Sequence, residues 1–243
     1  MGQILGKNEK QRTQEDCIAR MKAGGMTADE RMSCFDVFFS SGPDATKMQA
    51  FYDAWGRDYD YDVQVGEYTI PALVAERMAS YFSHDKSIWI LDIGAGSGQS
   101  ALELKKLGYT NVDGLDGSLG MLEKARASNA YQHLYHELLQ KGKKVYCAGL
   151  GAYDVAVSSG SFYPLHLQGH HLDCFLDCVK ECGLVVLSSA PANDEGVGLQ
   201  DKIQQLVSTN TVEILLQEFI PRFNRHDDGT LWILKKCAAS KNK

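Results

Sequence analysis

The residues best placed to do chemistry lie in one short stretch, "WILDIGAGSGQS", Trp89–Ser100. An apolar run ends at the acid Asp92, and Gly94, Gly96 and Gly98 follow at alternate positions. Glycines let a backbone take positive φ and approach a ligand closely, so the stretch reads as a binding loop. It is not a phosphate cradle of the Walker type, which closes on Gly-Lys-Ser/Thr: no lysine stands between Gly94 and Ser100. Nor does it carry the third glycine of the dinucleotide fingerprint, because Gln99 occupies that place. A carboxylate just before the loop repels a pyrophosphate but can hold a cationic amino group. The expected ligand is a nucleoside with an amino-acid tail and no phosphates. Asp116, 22 positions beyond Gly94, ends a second expected strand. A carboxylate there can accept from both ribose hydroxyls. It would serve NAD equally well, and a plain surface turn is the other reading.

Such a loop needs a sheet to present it. The pattern alternates from Ser87 onward. Strands are expected at 87–94, 111–118, 143–149, 153–162 and 183–191, and helices at 98–108, 119–128, 170–182 and 198–209. Two further strands follow at 211–221 and 229–237, a C-terminal hairpin whose last strand should run antiparallel. The class is therefore α/β, with a doubly wound, mostly parallel seven-stranded sheet. Ligands of such sheets sit beyond the carboxyl ends of the strands, at the switch point. Upstream, one helix is expected over Thr27–Ser40. Two helical pieces joined near Gly56–Asp62 should follow, the second with Leu73, Val74, Met78 and Phe82 on one face. The chain divides into an N-terminal extension and helical lid, 1–68, and a ligand-binding domain, 69–243.

Composition excludes several classes. A net charge of −6 with no basic stripe argues against a nucleic-acid partner. No apolar run approaches the ~20 residues that span a bilayer, so no membrane role is expected. Seven scattered cysteines without a signal peptide point to a reducing, cytoplasmic setting and free thiols. Gly2 could accept a myristoyl group, but Gly6 stands where that signal has Ser or Thr, so a plain flexible start is expected. Cys174, Cys178 and Cys182 recur every four residues and should share one helical face. Without a tight C-x-x-C pair they read as small packing residues, and no metal is expected.

"LDIGAGSGQS", "VDGLDGSLGMLEKAR", "YDVAVSSGSF" and "VKECGLVVLSS", in that order, resemble the ordered motifs of class I S-adenosylmethionine-dependent methyltransferases over about Ile88–Ser189. "FYDAWGRDYDYDV" and "SGSFYPLHL" are similar to segments of the methyltransferase-like protein 27 (Williams–Beuren-region) group. The resemblance implies a Rossmann-like fold with S-adenosyl-L-methionine as cofactor. Gly94, Ala95 and Gly96 would pass against the methionine moiety, and Asp92 would steer its amino group. Asp116 and its neighbour Gly117 would hold the ribose, Met121 would cover one adenine face, and Gly149 and Leu150 would meet the adenine edge. Ser159 belongs to the same implied set. Ala148 and Gly149 depart from the Asp or Gln that many relatives place there, removing a side-chain acceptor for the exocyclic amine. Tyr59 matches a tyrosine that closes over the methionine end, and an ordinary buried tyrosine is the alternative.

Methyl transfer from a sulfonium is an in-line displacement, in which positioning and desolvation do most of the work. Where the acceptor carries a proton, a base helps by roughly 10²–10⁴-fold. His166, after the fourth strand, is the candidate base or substrate contact, with a purely structural histidine as the alternative. The expected function is a methyltransferase acting on a small-molecule acceptor, as a monomer or homodimer. A nicotinamide-dependent oxidoreductase and a non-catalytic nucleoside-binding module are the rival readings.

Overall fold

The computed structural model describes residues 13–65, 68–145, 149–224 and 227–238. Seven strands form one sheet: β1 (Ile90–Ile93), β2 (Val112–Asp116), β3 (Leu134–His136), β4 (Tyr153–Phe162), β5 (Val179–Ser189), β6 (Val212–Ile220) and β7 (Gly229–Lys236). Their order is β3-β2-β1-β4-β5-β7-β6, and β7 runs antiparallel to both neighbours while all other pairs are parallel. The strand order reverses between β1 and β4. Asp92 pairs with Gly114 of β2 on one side and Val157 of β4 on the other. This crevice is where a doubly wound sheet binds its ligand.

Alternate residues of the central strands feed two cores. Leu91, Ala156, Val185 and Leu234 pack on one face with Phe162 and Phe175, beneath α7 (Leu172–Cys178) and α8 (Leu199–Ser208). Ile90, Val155, Val157, Val186 and Ile233 pack on the other face, beneath α4 (Ile70–Tyr81) and α5 (Gln99–Lys106). A third apolar cluster, around Phe38, Phe51, Trp55 and Cys34, belongs to α1 (Gln14–Ala23), α2 (Ala28–Ser40) and α3 (Ala45–Val65). Inside it Arg31 and Asp62 form a buried two-pronged ion pair at 2.6 and 2.7 Å, and the Trp55 indole donates to the same carboxylate at 2.8 Å. No described helix is long and apolar enough to cross a membrane.

Four local expectations are corrected. The third strand is Leu134–His136, pairing with Gly114–Asp116, and not 143–149; residues 143–145 carry no strand, and 146–148 lie outside the described residues. The polar run around "QHLYH" hides it, because an edge strand needs no continuous apolar stretch. The helix α3 runs unbroken through Gly56 instead of splitting at 56–62. That glycine serves contact: a Cβ on it would meet the Gly120 carbonyl oxygen at 3.0 Å, where α3 crosses α6 (Leu119–Ala127). The helix expected over 170–182 ends at Cys178, and β5 begins at Val179. Cys182 therefore sits exposed in a strand bulge with φ +65°, while Cys174 and Cys178 are buried, so the three share no helical face. Finally, α1 was not legible in the polar N-terminal stretch. It starts at a capping box in which Thr13 and Asp16 satisfy each other's backbone donors.

The α3–α6 crossing is testable. A Cβ on Gly120 would lie 2.6 Å from the Asp53 carbonyl oxygen, which is backbone and cannot step aside. Gly120→Ala is expected to destabilise the protein by about 1–3 kcal/mol in urea unfolding, the usual cost of overpacking. A change below about 0.5 kcal/mol would mean that this crossing is not close-packed.

Candidate cofactor and acceptor site

The loop after β1 is built by its glycines. Gly94 has φ +76°, and a Cβ on it would collide with the Ser161 hydroxyl. The Gly94 and Ala95 N–H groups both donate to the Leu115 carbonyl, at 2.8 and 3.0 Å, which pins the bend to the end of β2. The Gly96 N–H donates to Asp116 Oδ2 at 2.8 Å, and the Ser118 N–H to Asp116 Oδ1 at 2.8 Å. Each Asp116 oxygen thus keeps a free lone pair in a fixed direction, as two ribose hydroxyls would need. Burial pushes the Asp116 carboxyl up, and the two backbone donors pull it back down.

Asp92 is wholly buried at the end of β1. Its Oδ2 accepts from the Tyr131 hydroxyl at 2.7 Å, and its Oδ1 has no partner among the described residues. Burial pushes its carboxyl up to about 7; the Tyr131 bond opposes this and the Asp116 charge adds to it. A buried carboxylate oxygen without a donor is costly. A cation seated beside it would recover that cost and hold it ionised.

Around Asp116 the other expected residues fall as follows. The Gly117 carbonyl accepts from Gln49 Nε2 and stands 3.0 Å from His136 Nε2. Met121 is buried in the first turn of α6, its N–H on the Ser118 hydroxyl, while Leu119 and Leu138 are exposed apolar side chains near Gly117. Gly149 and Leu150 lie in an exposed turn, and Ala148 lies outside the described residues. Ser159 accepts from the Ser100 hydroxyl at 2.9 Å.

Beside the loop lies a cavity of about 560 Å³. Its walls include Tyr52, Trp55 and Tyr59 from α3, together with Tyr68, Tyr163, Arg222 and Phe223. Gly160 and His166 come from the end of β4 and the turn after it. Gly160 precedes Ser161, whose hydroxyl faces the Gly94 carbonyl at 3.4 Å, so cavity and glycine loop are adjacent. Tyr59 packs edge-on to Trp55, and burial, with the charges of Asp60 and Asp116, pushes its phenol up to about 12. His166 Nδ1 donates to the Pro164 carbonyl at 3.0 Å, which leaves Nε2 bare to accept from the Tyr52 hydroxyl at 2.6 Å. Burial pushes the imidazole down to about 4, so it is neutral at pH 7.

The structure thus brings Asp92, Gly94, Ala95, Gly96, Asp116 and Gly117 to one crevice, with Tyr59 and His166 in the cavity next to it. Two side chains that touch this set were not singled out from the sequence. Tyr131 carries no motif, and Tyr52 stood inside a quoted segment without a role. The residues present fit an aminoacyl nucleoside: a buried carboxylate oxygen without a partner among the described residues, a glycine backbone at close range, an acid braced at the end of β2, and no Lys or Arg in the loop.

Residues 90–183 match a family described as a methyltransferase domain. The chain is 35% identical over 120 residues to human methyltransferase-like protein 27, a match covering 49% of this chain and 48% of that one. It therefore spans about half the length of the curated relative it matches. Its fold resembles a chain of the complex between the Haloferax volcanii Trm112 methyltransferase activator and its methyltransferase, with TM-score 0.57, 16% identity, and 77% and 98% of the two chains covered. It also resembles magnesium protoporphyrin IX methyltransferase of Synechocystis solved with bound SAH, with TM-score 0.54, 15% identity, and 79% and 100% covered.

The Asp92 carboxyl holds its proton more tightly folded than unfolded. The native state therefore loses stability as pH rises from the ordinary value of 3.8 through about 7. Asp92→Asn is expected to flatten that decline and to stabilise the ligand-free protein at pH 8 by up to about 4 kcal/mol in urea unfolding. An equal or steeper decline in the variant would show that Asp92 is not the buried acid responsible.

Proposed function

We propose, from the premise that this chain carries a class I methyltransferase domain, that it transfers a methyl group from S-adenosyl-L-methionine to a small molecule held in the aromatic cavity. The observation that carries this is the unpartnered Oδ1 of buried Asp92 beside a glycine loop without a phosphate-binding residue. Asp92 takes the cofactor's ammonium group. Gly94, Ala95 and Gly96 give its methionine end a backbone surface, and Tyr59 closes over it. Asp116 and Gly117 hold the ribose. Met121, Gly149, Leu150 and Ser159 complete the surroundings of the nucleoside. The cofactor supplies an electrophilic methyl on sulfur.

The chain supplies position and dryness. The helices within residues 1–68 act as the lid, and those within 69–243 as the cofactor-binding domain. The contacts of α3 support this division. Asp53 accepts from the Ser118 hydroxyl at 2.5 Å and the Gly120 N–H at 3.0 Å, and Asp60 accepts from Gln99 at 3.0 Å. One helix thus spans the nucleoside crevice and the cavity. His166 provides the basic nitrogen of the cavity.

Calorimetry tests the reading against its rivals. The protein is expected to bind S-adenosylhomocysteine and not NAD; saturation with NAD alone would favour an oxidoreductase. At Gly96 a Cβ finds nothing nearer than the Gly94 carbonyl oxygen at 4.0 Å, so a long side chain there enters the ligand space without striking the core. Gly96→Arg is expected to weaken S-adenosylhomocysteine binding by on the order of 100-fold or more while the protein stays folded. Unchanged affinity would place the nucleoside elsewhere. Transfer of labelled methyl to a metabolite panel separates an enzyme from a binding module.

A further inference from the structure

We infer that Tyr52 and His166 form a proton relay, and that the acceptor is an aromatic molecule bearing a hydroxyl group that Tyr52 receives. This rests on the methyltransferase reading and specifies its acceptor side. Tyr52 lies on α3, in the lid, and His166 lies in the turn after β4, so their 2.6 Å bond joins the two halves of the cavity. The tautomer is fixed from outside the cavity. Nδ1 keeps its hydrogen on the Pro164 carbonyl at 3.0 Å, so Nε2 can only accept, and the Tyr52 hydrogen points at it. The Phe39 ring stacks on the imidazole, centroids 4.9 Å apart, and holds its plane.

Two consequences follow for what the cavity takes. With its hydrogen committed to His166, the Tyr52 oxygen offers only lone pairs to the cavity it lines. It therefore favours a ligand that donates there. A hydroxyl donates; the methyl ether formed from it does not, so the same contact that selects the substrate releases the product. The walls favour flat bodies. Trp55, Tyr59, Tyr68, Tyr163 and Phe223 supply rings, the Asp62 charge is taken up by Arg31, the imidazole is neutral, and Arg222 also lines the cavity. An uncharged aromatic hydroxyl is a weak nucleophile until its proton has somewhere to go.

The step balances within these residues. The acceptor oxygen forms its bond to the methyl carbon as the carbon–sulfur bond breaks, its electron pair going to sulfur. The hydroxyl proton passes to Tyr52 Oη, and the Tyr52 proton passes to His166 Nε2. The positive charge lost at sulfur reappears on the imidazolium, whose Nδ1–H stays on Pro164. That proton then leaves to solvent.

The test uses 2-naphthol and 2-methoxynaphthalene with protein loaded with S-adenosylhomocysteine. In calorimetry the wild-type protein is expected to bind the naphthol roughly tenfold tighter than the ether, one hydrogen bond's worth. Tyr52→Phe should erase that preference and leave S-adenosylhomocysteine affinity unchanged. In turnover with labelled cofactor, Tyr52→Phe and His166→Gln should each lower kcat at pH 7 on the order of 100-fold. Their rates should then climb tenfold per pH unit toward the naphthol's own pKa, where the wild-type rate is flat, because the variants can use only preformed naphtholate. Equal wild-type affinity for both probes, no binding of 2-naphthol, binding without methylation at any pH, or a flat pH profile in the variants would each overturn the proposal. Failure to bind S-adenosylhomocysteine at all would instead overturn the methyltransferase reading beneath it.

Discussion

One half-satisfied carboxylate organises the site. Asp92 is buried on β1, with one oxygen on Tyr131 and the other without a partner among the described residues. Folding alone gains little from such a group, because taking a charge out of water is costly unless it is paired. A leucine or valine there would extend the apolar run of Ile90, Leu91 and Ile93 and serve the core better. Under the proposed function the acid is half of a pair whose other member arrives with the ligand. The surrounding glycines would then let backbone, and not side chain, form the floor on which that ligand lies.

The second requirement is that the N-terminal helices be registered on the glycine loop. A single helix, α3, carries that registration. Its Gly56 and the Gly120 of α6 bring two backbones into contact, and Asp53 caps α6 through Ser118 and Gly120. Asp116, which braces Gly96 and Ser118, lies at the same corner. A displacement of α3 would thus disturb the Asp116 corner, the start of α6 and the Tyr52–His166 bond together. The buried Arg31–Asp62 pair, with Trp55 on the same carboxylate, ties α2 to α3.

Much of this was legible in the sequence, for identifiable reasons. The strands β1, β2, β4 and β5 place apolar residues on both faces, as β1 does with Leu91 on one side and Ile90 on the other, because a parallel sheet is covered on both faces, and β4 was bounded to the residue at Tyr153–Phe162. The glycine loop and the two acids follow these runs at fixed spacing. What failed was decided by tertiary contact. β3 is a short edge strand with a polar sequence, fixed by pairing to β2 and by His133 and Tyr153 on Asp113. Gly56 read as a joint, because glycine's low helix propensity is local, whereas its use here is a neighbour 64 positions away at Gly120. The cysteine period of four imitated a helix across a helix–strand boundary. Tyr131 and Tyr52 lay beyond sequence reasoning, since nothing in their spacing reveals that each meets an acceptor 39 or 114 residues distant.

The most direct measurement is the titration of the Asp92 carboxyl itself, followed by carbon-13 NMR in the ligand-free protein and in the complex with S-adenosylhomocysteine. The expected result is a midpoint near 7 without ligand and a fall well below the ordinary carboxylate range once the ligand's ammonium group sits against Oδ1. A midpoint that stays where it was on saturation with ligand would contradict the assignment of Asp92 as the group that receives it.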